Sequence, residues 1–349
     1  FDVIPAEAAD ALDPDSIRGG AGEPGDVGVE LRVVDDALVV FRVRPGSPAD
    51  RAGVRPGWAL ARFDGYAADR LLTAVAAAGD DRRLVEARVA WAADARLAAT
   101  VGDTVVAGFD VDGSGREVRM VSEAMPGTPV RFGNLPTMFA HLTWRELPVD
   151  GGCAGLIAFD VWMTPILPDL EEAFLALRHC RGLILDLRGN PGGVGGMVMG
   201  VSGYFMDEQQ PLGRLITRQN ELTFVSMPRR VTSAAEPMEP YDGPLALLVD
   251  GQSMSTTEIF AAGLQETGRA RVFGETSGGQ ALPALMTRLP NNDVLMYAFA
   301  NLVTPDGVRI EGRGVIPDRE VPLERRALIE GRDPALEAAV EWIQSRGGR

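Results

Sequence analysis

GQSMSTTEIFAAGLQETGRARVFGETSGGQ, residues 251–280, is the stretch around which the rest of the chain is organised. Just before it, the apolar run Leu245–Val249 predicts a buried strand. After Asp250 and Gly251 the spacing becomes helical, with Ile259, Phe260, Ala261 and Leu264 on one face. A second strand, Ala270–Phe273, leads into the turn-rich loop GETSGG. Ser255 therefore stands where a strand has ended and a helix begins, beside the unsatisfied N–H groups and the positive pole of that helix. This suits a nucleophile. It suits a cap equally well, because Ser255-Thr256-Thr257-Glu258 fits the S-x-x-E capping box. Ser253, in the same turn, is the alternative nucleophile.

Composition narrows the chemistry. At 349 residues with 46% apolar content the chain has enough material for about two domains. No window approaches the 18 or so uninterrupted apolar residues that a transmembrane helix needs. A formal charge of -15 argues against nucleic acid as a partner, since that binding rests on clustered basic residues, and it repels acidic substrates. All 34 basic residues are arginine, and the only histidines are His141 and His179, so general bases are few. Cys153 and Cys180 form neither a disulfide framework nor a metal-ligand spacing, and read as small buried hydrophobes. No metal or organic cofactor is implied. The chain opens at Phe1 without a methionine or a visible signal peptide, as a processed or trimmed piece would.

Taken in order, residues 1–26 are rich in Ala, Asp and Gly and read as a linker or the remnant of an N-terminal region. A β-like domain spans 27–123, closing with strands Thr104–Phe109 and Glu117–Val121 around the turn Asp112-Gly113-Ser114-Gly115. Residues 124–150 form a connector that carries His141. From 151 to 325 strands and helices alternate: a strand Gly155–Trp162, a helix Leu167–Arg178, the strand GLILDL, a glycine turn, then a helix Val194–Phe205. A C-terminal helix fills 326–349. The turn Arg188-Gly189-Asn190-Pro191-Gly192-Gly193 lacks a dinucleotide fingerprint; it is either a plain strand-to-helix turn or a backbone cradle for an anion.

Two resemblances rest on these residues. The run from Arg42 to Gly65, with its RPGSPADRAGVRPG core, resembles a bacterial PDZ domain, although Trp58 and Ala59 depart from the usual pattern. That resemblance implies capture of an extended peptide on a sheet edge, here along Val27, Gly28, Val29, Glu30 and Leu31. The four blocks GLILDLRGNPGG, LLVDGQSMSTTEIFAAGLQ, GRARVFGETSGG and IEGRGVIPD, in that order, resemble the S41 serine peptidases. Those include the C-terminal processing proteases, the tricorn core protease and the interphotoreceptor retinoid-binding protein repeats. The implied fold is α/β, a crotonase/Clp-protease-like core of ββα units with the β-rich PDZ domain before it.

The S41 resemblance implies roles residue by residue. Ser255, three before Glu258, is the nucleophile. The N–H of Thr256 and that of Gly192 or Gly193 form the oxyanion hole. The processing proteases place a lysine 25 positions after the serine; here that position is Gln280, which has no useful proton affinity, and no lysine exists to replace it. The loop GETSGGQALP and the tail VTPDGVRIEGRGVIPD look more like the tricorn-like branch, in which a histidine ahead of the PDZ domain is the base. That places the base immediately upstream of Phe1, with His141 as fallback and Glu311 as the carboxylate that orients the pair. His179 sits at a helix end, where a cation suits the dipole. Arg188 and Arg313 are candidates to meet a peptide carboxylate.

Two functions follow. The first is a serine endopeptidase acting on peptides or unfolded and C-terminal protein segments through an acyl-enzyme on Ser255. The second is a catalytically inactive scaffold of the same fold that binds peptide or lipid. The expected location, implied by the resemblance alone, is the periplasm or exterior of a bacterium; the arginine-rich, lysine-free composition suggests a high-GC bacterial genome, and homo-oligomerisation is left open.

Overall fold

The structure is a computed structural model that describes residues 2–4, 23–63, 65–76, 82–131, 137–291 and 293–346. Most of the expected 1–26 linker lies outside the described residues; inside them are the strands Asp2–Ile4 and Pro24–Asp26. The chain divides into two compact units. One combines residues 1–9, 127–322 and 335–349; the other combines 10–126 and 323–334.

The smaller unit is built on an antiparallel sheet in the order Val29–Val34, Ala37–Val43, Ala59–Phe63, Thr104–Val111, Ser114–Val121. Asp35 and Asp36, at φ 51° and 58°, and Asp112-Gly113, at 51° and 81°, close two of its hairpins as two-residue turns. Both central residues have positive φ, the geometry whose twist matches the flanking strands. The closing strands are therefore longer than the sequence suggested, and their turn is shorter. The helix Arg82–Leu97 lies against the strand Val29–Val34 and buries Val89, Ala90, Ala93 and Leu97 in a core with Leu31, Leu38, Val40 and Phe109.

The larger unit is organised on a six-stranded sheet: Leu142–Val149, Gly152–Phe159, Gly182–Asp186, Leu245–Val249, Arg271–Gly274, Arg319–Glu320. The first two strands form an antiparallel hairpin, and every later pairing is parallel. Its middle strands are covered on both faces, which explains their unbroken apolar runs. Leu183, Leu185, Leu245 and Leu247 face Phe174 and Phe260 on one side. Ile184, Ala246 and Leu248 face Ile343 of the helix Pro334–Arg346 on the other. Alternate residues of one strand thus serve two cores.

Several sequence expectations need correction. The helix after Ser255 runs Thr256–Glu266 and is buried on all sides from Thr256 to Leu264, not on one face. The helix after the glycine turn is confined to Met197–Ser202, because Gly195 and Gly196 delay its start. Where one C-terminal helix was expected there are two, Arg325–Ile329 and Pro334–Arg346, belonging to different units. Cys153 and Cys180 are joined in a disulfide with Cα atoms 4.9 Å apart. No sequence motif announces it. The pairing of Ala154 with Gly182 in adjacent parallel strands brings Cys153, one residue before the first, beside Cys180, two residues before the second.

Candidate active site

Three loops leave the carboxyl ends of neighbouring parallel strands, after Asp186, Val249 and Gly274, and meet at Ser255. That is where open α/β sheets bind ligands. Polar staples hold the first two loops together. Asp250 Oδ1 accepts the N–H groups of Gly189 (2.9 Å) and Gln252 (3.0 Å). Ser253 Oγ donates to the Leu187 carbonyl at 2.8 Å and accepts from the Asp250 N–H at 3.0 Å. Ser253 has no exposed surface and is a structural staple, so the alternative nucleophile is set aside. Arg188 is also committed. It is buried and forks onto Asp186, with Nε to Oδ1 at 2.9 Å and Nη2 to Oδ2 at 2.7 Å, so it does not reach out to a substrate carboxylate. Arg313 is exposed.

Ser255 itself has φ 54° and ψ -117°, a conformation that side chains beyond glycine rarely adopt. Such a residue costs about 1–3 kcal/mol and persists only where its surroundings enforce it. The enforcement is visible in its N–H, which points to Glu258 Oε2 at 3.0 Å and to the Gln280 carbonyl at 3.2 Å. Glu258 closes the return half of a capping box by accepting the Ser255 N–H at 3.0 Å. Ser255 supplies no side-chain cap bond. The turn thus presents the hydroxyl without spending it on the helix.

Glu258 is fully buried and accepts four hydrogen bonds. Oε1 takes Ser277 Oγ (2.5 Å) and the Gly279 N–H (2.7 Å); Oε2 takes the N–H groups of Ser255 and Gln280, both at 3.0 Å. Burial pushes its carboxyl up to about 7, against these four donors. Ser277 Oγ accepts from the Val315 N–H at 2.7 Å, which orients the serine proton toward Glu258. Glu311 Oε2 receives the N–H groups of Ala281 (2.8 Å) and Leu282 (3.0 Å), so it fixes the backbone just past Gln280. The two carboxylates hold the third loop from both sides.

The glycine turn lies against the serine. A Cβ on Gly192, whose φ is +99°, would come within 2.7 Å of Ser255 Cβ and 2.9 Å of Thr256 N, so only glycine fits there. Gly192 N–H is already given to Asn190 Oδ1 at 3.0 Å. The N–H groups of Gly193 and Thr256 take no hydrogen-bond partner among the described residues. Thr256 Oγ1 donates to the Gly193 carbonyl at 2.9 Å and ties the two segments together. Behind them sits Asn190, fully buried, with Nδ2 on the Phe159 carbonyl at 2.9 Å and its carbonyl accepting the Met254 N–H at 3.0 Å. Thr257 Oγ1 lies 3.1 Å from Asn190 Oδ1 and receives Trp162 Nε1 at 2.9 Å. Asn190, Thr257 and Trp162 frame the site, and sequence reasoning missed all three. The asparagine inside the N-P-G-G run was the one available signal.

Ser255, Glu258, Thr256, Gly192, Gly193, Gln280 and Glu311 are therefore brought together, while the histidines are not. Among the described residues no histidine hydrogen-bonds to Ser255. His141 immediately precedes the strand Leu142–Val149, three strands from the one that delivers Ser255, or about 14 Å at ordinary spacing. Its ring nitrogen lies 3.8 Å from Asp160. His179 lies at the other end of the sheet, with Nδ1 2.8 Å from the Ala176 carbonyl. Gln280 turns its amide Nε2 to the Gly279 carbonyl at 3.2 Å. In the smaller unit, Val27 and Gly28 belong to a turn bonded to Ala49 and Arg44, and the strand begins at Val29. The Leu31 N–H on that edge strand is taken by Asp94 Oδ1 at 3.0 Å.

Residues 155–321 match the family model described as peptidase family S41. The chain is 27% identical over 285 residues to "Carboxyl-terminal-processing peptidase 3, chloroplastic" of Arabidopsis thaliana, covering 80% of this chain and 50% of that one. It is 23% identical over 304 residues to a "Probable CtpA-like serine protease" of Staphylococcus aureus, covering 86% and 53%. It thus spans about half the length of these relatives. Its fold matches the solved photosystem II D1 C-terminal processing protease with a TM-score of 0.56 at 21% identity, over 99% of this chain and 82% of that one. The mixed α/β architecture is that of an S41 protease.

Proposed function

We propose that this chain is a serine peptidase that cleaves peptides or unfolded and C-terminal protein segments. Ser255 Oγ bonds to the substrate carbonyl carbon while its proton passes to a base. The resulting oxyanion is received by the N–H groups of Thr256 and Gly193. The tetrahedral species collapses, the C–N bond breaks, and the amine leaves with the proton. Water then hydrolyses the acyl-serine. The observation that carries this reading is the positive-φ turn of Ser255, which holds its side chain next to two N–H groups with no other partner. Glu258 and Glu311 act as positioning residues for the loops that frame the serine. The oxyanion role falls to Gly193 rather than Gly192, whose N–H is given to Asn190.

For the base we propose a histidine N-terminal to Phe1, as in the tricorn-like branch. The strand Asp2–Ile4 supports this, because it pairs with Val294–Met296 in the hairpin that starts at Ala284, shortly past Gln280. The chain ahead of Phe1 would leave from that hairpin. The distance to His141 weighs against the fallback. The smaller unit is proposed as a PDZ domain that docks a peptide on the edge strand Val29–Val34, preceding a crotonase/Clp-type core, in an exported bacterial protein. A second reading, an inactive binding scaffold, is favoured by the lack of any lysine or histidine bonded to Ser255 among the described residues.

A fluorophosphonate probe separates these readings. On the chain extended through its upstream codons, labelling at Ser255 and release of peptides from a denatured substrate are expected. No labelling would favour the scaffold, and equal turnover by the chain starting at Phe1 would overturn the upstream base.

A further inference from the structure

At the end of the sheet remote from Ser255, four side chains with metal-ligating atoms converge: Glu146, Cys153, His179 and Cys180. One ligand atom of each lies within 4.8 Å of all the others. Cys153 stands at the start of the strand Gly152–Phe159, whose far end supplies the Phe159 carbonyl to Asn190, so the cluster is about 20 Å from the serine at ordinary rise per residue. His179 Nε2 is 3.5 Å from Cys153 Sγ and 3.4 Å from a Glu146 carboxylate oxygen. Atoms sharing one tetrahedral zinc, bound at about 2.0–2.3 Å, sit about 3.3–3.8 Å apart. The other imidazole nitrogen, Nδ1, is 2.8 Å from the Ala176 carbonyl. That partner fixes the tautomer with Nδ1 protonated and turns the Nε2 lone pair toward the cluster, the arrangement metal-bound histidines adopt. The two sulfurs are buried, whereas Glu146 and His179 are exposed, so an ion can enter from solvent.

We propose that this cluster is a redox-gated zinc site, with the Cys153–Cys180 disulfide as its oxidised, metal-free state. A dithiol reductant transfers two electrons and two protons: the Cys153–Cys180 bond breaks, the reductant's own disulfide forms, and two thiols result. Zinc then binds as two thiolates with His179 Nε2 and a Glu146 oxygen, releasing the two thiol protons to solvent. Two thiolates with an imidazole and a carboxylate suit zinc over harder cations. Either state ties the edge hairpin Leu142–Val149/Gly152–Phe159 to the end of the helix Leu167–Leu177, so the crosslink persists while its chemistry changes.

The test uses the whole chain, oxidised or reduced anaerobically with a phosphine, then incubated with zinc and freed of unbound metal. About one zinc per chain is expected after reduction and none before it, with cobalt in place of zinc giving thiolate charge-transfer bands and tetrahedral visible absorption. His179→Ala and Glu146→Gln, both at exposed positions, are expected to weaken zinc binding at least about tenfold. The proposal fails if the reduced chain takes up no more zinc than the oxidised chain. It also fails if both variants bind as the parent does, or if the folded chain resists reduction by a phosphine.

Discussion

Two helices in this chain open with a serine followed three residues later by an acid, Ser47-Pro48-Ala49-Asp50 and Ser255-Thr256-Thr257-Glu258, and the two serines are used in opposite ways. Ser47 has φ -71° and ψ 167°, the extended backbone of an ordinary cap, and its side chain accepts the Asp50 N–H at 3.3 Å. Ser255 has φ 54° and makes no side-chain cap bond. Ser47 stabilises its helix. Ser255 is itself held in place, by Glu258 and the Gln280 carbonyl, in a conformation that costs free energy. The difference teaches that one short pattern encodes a cap or a strained turn that the helix does not use as one, depending on what stands opposite the backbone N–H.

The largest expected effect is on turnover. Ser255→Ala is expected to lower peptide hydrolysis by at least about a thousandfold, while Ser47→Ala leaves the rate per folded molecule unchanged. Steady-state rates on a denatured protein substrate check both, and comparable losses at the two serines would erase the contrast. Next comes the wall behind Ser255. Gly192→Ala places a methyl group 2.7 Å from Ser255 Cβ at a φ of +99°, and is expected to cost about 3 kcal/mol in urea unfolding along with activity.

Glu258 sharpens the comparison through pH. Its folded carboxyl holds a proton up to about 7, against 4.5 for an ordinary glutamate. The stability tied to that proton is fully present below pH 4.5 and is lost as pH rises to 7, an effect on the order of 3 kcal/mol. Glu258→Gln has no such titration, so the parent is expected to weaken relative to it across that window in denaturant melts. A constant difference from pH 4 to 8 would mean that the folded carboxyl titrates where an unfolded glutamate does. The smallest effects have opposite signs. Ser255→Gly relieves the strained φ and is expected to raise stability by about 1 kcal/mol, whereas Ser47→Ala removes a cap and lowers it by about 1 kcal/mol. Calorimetry on the two variants reads the sign directly.

Much of the scaffold was legible because its signals are local. The strand Leu245–Val249 has the bounds its apolar run predicts, and the helix from Leu167 ends within a residue of expectation, at Leu177. The four blocks of motif residues mark the loops that meet at the site, and Ser255, Glu258, Gly192, Gly193, Gln280 and Glu311 converge there. What was not legible depends on partners far along the chain. Ser253 and Ser255 are two residues apart and chemically alike, yet Leu187 claims one hydroxyl and not the other. Arg188 looked like a substrate contact until Asp186, two residues before it, engaged its fork. The choice between Gly192 and Gly193 rests on Asn190 Oδ1, because a backbone N–H carries no sequence signature of whether it is occupied.

By itself the sequence narrowed the candidate chemistry. A serine at a strand-to-helix turn, glycines ahead of it, no lysine and only two histidines limit the candidate nucleophiles and bases before any coordinates are considered. The period of apolar residues likewise marked some strands and helices, such as Leu245–Val249 and the helix from Leu167, since that period is a property of neighbouring residues, but it did not announce the helix Arg82–Leu97. Only the tertiary structure decided the φ of Ser255, the burial of Glu258 and the pairing of Cys153 with Cys180. Each of these is set by the register of parallel strands, which places side by side residues that are distant in the chain. Backbone strain, pKa shifts and crosslinks arise from what surrounds a residue, and those surroundings exist only once the sheet has formed.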